Sequence, residues 1–400
     1  MRTDVRTIPS GMTYFPAVVG LRFYLALWVA VSHALRLSGV RPTNIVVAQL
    51  MDGRAAVMVF MIISGFVITN LLLAKREPYA QYIVRRFFRL YPAYVVCCIA
   101  GYLTGDAWVS LVQGVPWHDE PGWAGYAQLV LALVGEARDH FWAHFAVHAT
   151  MLHGAVPGEL LEYSALTFLS VAWSISLEWQ FYLAAPLLLA VVARPNWLLV
   201  AIPVAALAYL LVSGNHIAHF GNYAFLPATI HYFAIGIVSR LAYRTFAAYR
   251  VSPLLVALIG VFGALALLED PVPIVLWLTV YAYLVWGPRA PVTANVFRML
   301  FTTKFIIGLG EASYSLYLVH RPVQIALGAL AVEVMTLNHV TMLAVQLSAI
   351  TLSVVLSIVL YRWVERPGMN VGRRVAARVT QNFRRESCAG TAAEMPGRSN

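Results

Sequence analysis

Apolar residues in this chain do not alternate with polar ones in a short period; they run together in long stretches separated by short polar connections. A helix needs about 20 mainly apolar residues to cross the hydrocarbon core of a bilayer. Runs near that length occur at 16–37, 55–74, 88–105, 170–193, 197–213, 224–241, 252–268, 272–287, 305–331 and 340–362. The pattern predicts an all-α, polytopic membrane protein with about ten transmembrane helices in one bundle. A further stretch at 128–152 is apolar enough to suggest an eleventh span, but counting it would reverse every later loop and spoil the charge asymmetry. It is read as helices lying on, or dipping into, the outer face.

Composition agrees, with 60% hydrophobic and 12% charged residues. Charge then orients the chain. Arg2 and Arg6, the group Lys75, Arg76, Arg85, Arg86 and Arg89, Arg194, the group Arg240, Arg244 and Arg250, the group Arg289, Arg298 and Lys304, and the tail arginines all fall on one side of a ten-span bundle. Segment 106–168 is acidic, with Arg138 its only Lys or Arg. Positive residues gather in cytoplasmic loops, so both termini are expected in the cytoplasm. The first outer loop, with Arg41 and Arg54 against Asp52, is an exception. The net charge of +10 therefore reports topology and lipid contact, not nucleic acid. The expected organisation is a cytoplasmic N-terminus at 1–15, a transmembrane domain at 16–365 containing the outer-face segment 106–168, and a basic, largely disordered cytoplasmic tail at 366–400. Three cysteines, two of them adjacent in a span, make no disulfide framework.

Chemistry must then lie within the bundle, where ionisable side chains are costly and mark function. Arg22 and His33 share the first span, about 16 Å apart along its axis at 1.5 Å per residue. His33 is the leading general-base candidate, because a neutral imidazole accepts a proton near pH 7. The plainer reading is a histidine satisfied by a neighbouring helix. Arg85, Arg86 and Arg89 enter the third span, and guanidinium groups suit phosphate. Charge bias explains two of them but not Arg89, which lies inward of Phe87 and Phe88. Glu178, inside the fourth span, needs a proton, a partner or a hydrogen bond; it could orient an imidazole or hold a hydroxyl. His320 lies in the ninth span beyond Tyr314 and Tyr317. His140, His144 and His148 form one helical stripe; interfacial histidines are the favoured reading, and no metal site is predicted.

Six segments together resemble the acyltransferase-3 family of bacterial membrane O-acyltransferases, in its stand-alone form without a C-terminal esterase-like domain. They are Gly20-Leu21-Arg22 with His33, FMIISGFVIT at 60–69, RRFFRLYP at 85–92, WSISLEWQFYLAAPLL at 173–188, SYSLYLVH at 313–320, and Val364-Glu365-Arg366-Pro367. Met61 and Ile175 depart from the family pattern and keep apolar character. The resemblance implies transfer of an acyl group, most often acetyl, from acyl-CoA to a hydroxyl of a saccharide. An exopolysaccharide unit or lipid-linked sugar intermediate is the favoured acceptor, with a glycosylated or macrolide small molecule as the alternative. It implies catalytic roles for His33, Arg22, Glu178 and His320, acyl-CoA binding by Arg85, Arg86 and Arg89, and substrate contacts at Trp173, Ser176 and Tyr314. Acetyl-CoA would be the co-substrate. The expected partners are the bilayer, acyl-CoA and the saccharide. The competing class is a proton-coupled transporter, weakened because no internal repeat of broken helices is evident.

Overall fold

A computed structural model of the chain describes residues 13–74, 77–192, 218–220, 223–248, 270–287 and 291–393. Two of the expected spans, 197–213 and 252–268, lie outside the described residues. Among the described residues the structure is helical, apart from one isolated bridge between Pro157 and Phe220. The first element, α1 (Pro16–Leu37), begins on Pro16, whose fixed φ and missing N–H suit a first helical position. It is followed by the short α2 (Ile45–Met51), the apolar α3 (Gly53–Ala74), and α4 (Tyr79–Leu103), which carries the arginine cluster. The second half supplies α8 (Trp173–Val192), α9 (Leu226–Ala248), α10 (Val272–Trp286), α11 (Pro291–Phe301), α12 (Lys304–Glu311), α13 (Ser313–Val334) and α14 (His339–Leu360).

Five of the described helices are long and apolar enough to cross a membrane: α1, α3, α8, α13, and α14 with its continuation. A sixth arises if α4 and the following α5 (Gly105–Gly114), bent by 49°, count as one span. The helix at 272–286, read as a span, is shorter than that measure requires.

More of α3 is buried than of any other of these five, so it forms the bundle's middle. It approaches α9 without side chains between them. A Cβ on Gly65 would lie 2.2 Å from the carbonyl oxygen of Phe233, and one on Gly236 would lie 2.0 Å from that of Ile62. Lipid is as apolar as leucine, so such close backbone packing substitutes for hydrophobic exclusion between spans. The core around it runs through Phe66, Trp277, Phe181 and Phe233, with Phe181 and Phe233 stacked at 4.2 Å.

The outer-face segment is helical in pieces. After α5 come α6 (Pro121–Asp139) and α7 (Phe141–Ala149), interrupted at His140. Neither is a candidate span. The interruption breaks the continuous stripe expected for His140, His144 and His148. His144 Nδ1 lies 2.9 Å from Thr167 Oγ1, and His148 stacks on His153 at 4.1 Å. His148 Nε2 is 3.0 Å from the Thr167 carbonyl and His153 Nε2 is 3.1 Å from that of Ala172. Backbone and hydroxyl groups thus hold these rings and tie α7 to the entry of α8. Burial pushes the His153 imidazole down to about 4 and lowers His148 in the same direction.

The C-terminal part departs from expectation. The segment from Arg366, read as a disordered tail, continues from α14 through a π-helical turn, Tyr361–Glu365, into α15 (Arg366–Ala393). Composition suggested disorder because few apolar residues recur. The docking face is instead built of small residues: a Cβ on Gly368 would lie 2.6 Å from Pro92 Cγ, and one on Gly372 would lie 2.4 Å from Phe88 Cβ. Ala376, on the same face, is fully buried. Helix α15 therefore lies directly on the arginine-bearing end of α4.

Candidate active site

Five helices converge on a cavity of about 150 Å³. Its polar lining is Arg22 from α1, Ser64 from α3, Arg86 and Arg89 from α4, and Ser174, Glu178 and Tyr182 from α8; Ser313, Tyr314 and Tyr317 of α13 close it. Three guanidinium groups against one carboxylate favour an anionic or strongly polarised ligand.

Helical spacing explains the convergence. Arg86 and Arg89 are three residues apart on α4, as are Tyr314 and Tyr317 on α13, and Glu178 and Tyr182 are four apart on α8, so each pair shares a face. Glu178 accepts a hydrogen bond from Ser64 Oγ at 2.7 Å and another from the Tyr182 hydroxyl. Arg86 lies 5.9 Å from the centre of the Tyr182 ring, a cation–π contact. Arg22 Nε and Arg86 Nε are buried and have no hydrogen-bond partner, as does Ser313 Oγ. Orphaned buried donors are uncommon in native structures and suit a ligand or water.

Arg89 is held from behind. It pairs with Glu365, which is 1% exposed and accepts from Ser315 Oγ at 2.6 Å. Its guanidinium lies 5.2 Å from the Tyr314 ring centre, and the Tyr314 hydroxyl donates to the Leu90 carbonyl at 2.8 Å. The π-helical turn is what carries Glu365 inward, a common use of such turns at functional sites.

The two histidines form a second layer. His33 of α1 and His320 of α13 stack with ring centres 5.5 Å apart. His320 is fully buried, and its Nε2 has no partner. Tyr317 joins the layers: it lines the cavity and its ring lies 6.0 Å from that of His320. The Ser174 hydroxyl donates to the Tyr317 oxygen at 2.7 Å, and Tyr317 donates to the Val171 carbonyl at 2.8 Å.

The structure thus brings Arg22, Glu178, Arg86, Arg89 and Tyr314 together at one cavity, with His33 and His320 paired beyond it. It does not bring in the others. Arg85 pairs with Glu77 and does not line the cavity. Ser176 accepts from the Gly154 amide at 2.9 Å and from Gln180 Nε2 at 3.3 Å, so it fastens the outer segment to α8. Trp173 packs against the core. Glu178 has Ser64 and Tyr182 as hydrogen-bond partners, not an imidazole, so the orienting role considered for it has no contact behind it. Ser64, Tyr182 and Glu365 are the side chains that residue-by-residue reading passed over, and Tyr317, read as a helix-contact aromatic, lines the cavity. Ser64 and Glu365 lie inside segments singled out for their motifs, but nothing local tells which carboxylate or guanidinium each meets.

No curated protein and no solved structure matches the chain. A family model described as an acyltransferase domain matches residues 15–362, a span that takes in the cavity, both histidines and every helix between them. The chain belongs to the acyltransferase-3 family and is a membrane acyltransferase.

Proposed function

We propose that the protein moves an acyl group, most often acetyl, from acyl-CoA to a hydroxyl of a saccharide, such as an exopolysaccharide unit or a lipid-linked sugar intermediate. The observation that carries this reading is the layering: three arginines at one cavity, a histidine pair beyond it, and Tyr317 between. Arg86 and Arg89 lie on the side that loop charge assigns to the cytoplasm, where acyl-CoA is made; they bind its phosphates. The pantetheine arm passes the unpartnered donor of Arg22 and carries the thioester on toward His33. The acceptor hydroxyl lies against His33. As its oxygen attacks the carbonyl carbon, His33 takes the proton; the new C–O bond forms, the C–S bond breaks, and the proton passes to the departing thiolate. His320 keeps the His33 ring in place by stacking. Glu178, tied to Ser64 and Tyr182, fixes the cavity wall and balances part of its positive charge.

The test is incubation of the purified protein with labelled acetyl-CoA and a panel of saccharide acceptors. Label in a base-labile ester on the saccharide is the expected result. Protein that binds acetyl-CoA but never labels a hydroxyl, or that moves protons across vesicles without transfer, removes the reading.

A further inference from the structure

Arg321 follows His320 on α13 and is 3% exposed. Its Nη2 donates to the Tyr126 hydroxyl at 2.6 Å, its Nε donates to Ser170 Oγ at 3.3 Å, and its carbon centre lies 4.7 Å from the middle of the Trp108 ring. Nη1 is buried with no partner. No carboxylate among the described residues pairs with it, whereas Arg85 and Arg89 have Glu77 and Glu365. A guanidinium taken out of water without a counter-ion is costly, and neutral partners offset that cost only in part. The Tyr126 oxygen also accepts from Trp108 Nε1 at 3.1 Å. With both lone pairs engaged, its own proton is free to donate outward.

An unpaired cation and a free phenolic donor meet where α13 joins the outer-face segment, one residue from the histidine pair. We propose that Arg321, Tyr126 and Ser170 form a subsite for an anionic group on the acceptor, a carboxylate or a phosphate. The acceptor would then be an acidic saccharide, for instance one bearing a uronic acid or a sugar phosphate, and its anion would set which hydroxyl reaches His33. The identity of the ligand as acceptor rests on the acyl-transfer reading; the binding of an anion does not.

The experiment compares melting of the detergent-solubilised full chain with D-glucuronate, glucose 6-phosphate and glucose as probes. Glucuronate or glucose 6-phosphate should raise the melting temperature above the glucose control, and which of them acts separates carboxylate from phosphate. Arg321→Met should abolish that rise and, in the absence of anion, should melt no lower than the wild type, because it removes an uncompensated buried charge. Arg321→Lys should keep part of the rise, lacking the planar fork. A lower melting temperature for Arg321→Met without anion, a rise that survives that substitution, or no rise with either anion each overturns the proposal. Acyl transfer is assayed separately; its absence with every acceptor removes the transfer reading while leaving an anion-dependent rise in place.

Discussion

His33 makes one side-chain contact that matters for its chemistry, the stack on His320, and no hydrogen bond that folding depends on. His33→Ala should therefore insert and melt like the wild type while losing acyl transfer by roughly a hundredfold or more. Initial rates with labelled acetyl-CoA, beside a melting curve, check it; near-normal turnover would hand the base role to His320. Arg86 and Arg89 should separate from one another. Arg86→Ala removes a charge-assisted contact, worth roughly 1.5–3 kcal/mol, and should weaken acyl-CoA binding with little change in melting. Arg89→Ala also strands Glu365, whose unpaired burial costs about 3–5 kcal/mol, so it should lower the melting temperature as well. Equal melting of the two variants would contradict the pairing. Much of this site was legible from residue type and depth: a guanidinium, a carboxylate and an imidazole within apolar runs are hard to explain except as a site. What could not be read was that Arg85, unlike Arg86 and Arg89, stays outside the cavity. Arg85, one step round α4 from Arg86, ends on Glu77, and only the placement of the helix decides that.

Among elements, the contact between α3 and α9 depends on having no side chain at two positions. Gly236→Val should push the helices apart and destabilise by about 1–3 kcal/mol. Gly308→Ala, whose Cβ would meet nothing within 4 Å, should leave the melting curve unchanged. The element formed by α7 and the turn at His153–Ala155 answers to pH. His153, neutral when folded, ordinarily titrates at 6.5 and is pushed down to about 4. As pH falls below 6.5 the unfolded chain takes up a proton that the folded chain refuses. The stabilisation is thus full above 6.5 and is lost progressively down to 4, by about 3 kcal/mol at most. His153→Gln should flatten that part of the melting-versus-pH curve. The helices α1, α3, α8, α13 and α14 were legible because long apolar runs have one solution in lipid. Helix α15 was not, since a face of glycine and alanine leaves no hydrophobic period to see.

For the whole molecule, the sidedness of the loops is the first commitment to check. In intact cells a cysteine near Asp119 should react with an impermeant reagent and one near Arg298 should not; the reverse would invert the bundle and the mechanism with it. The pairing of Arg89 with Glu365 also bears on how the protein is made. The two residues stand 276 positions apart in the chain, and synthesis runs from the first toward the second. Until Glu365 leaves the ribosome, Arg89 sits in the membrane without its counter-ion. An arrested nascent chain that carries every earlier motif is therefore still without the pair that holds Arg89 at the cavity.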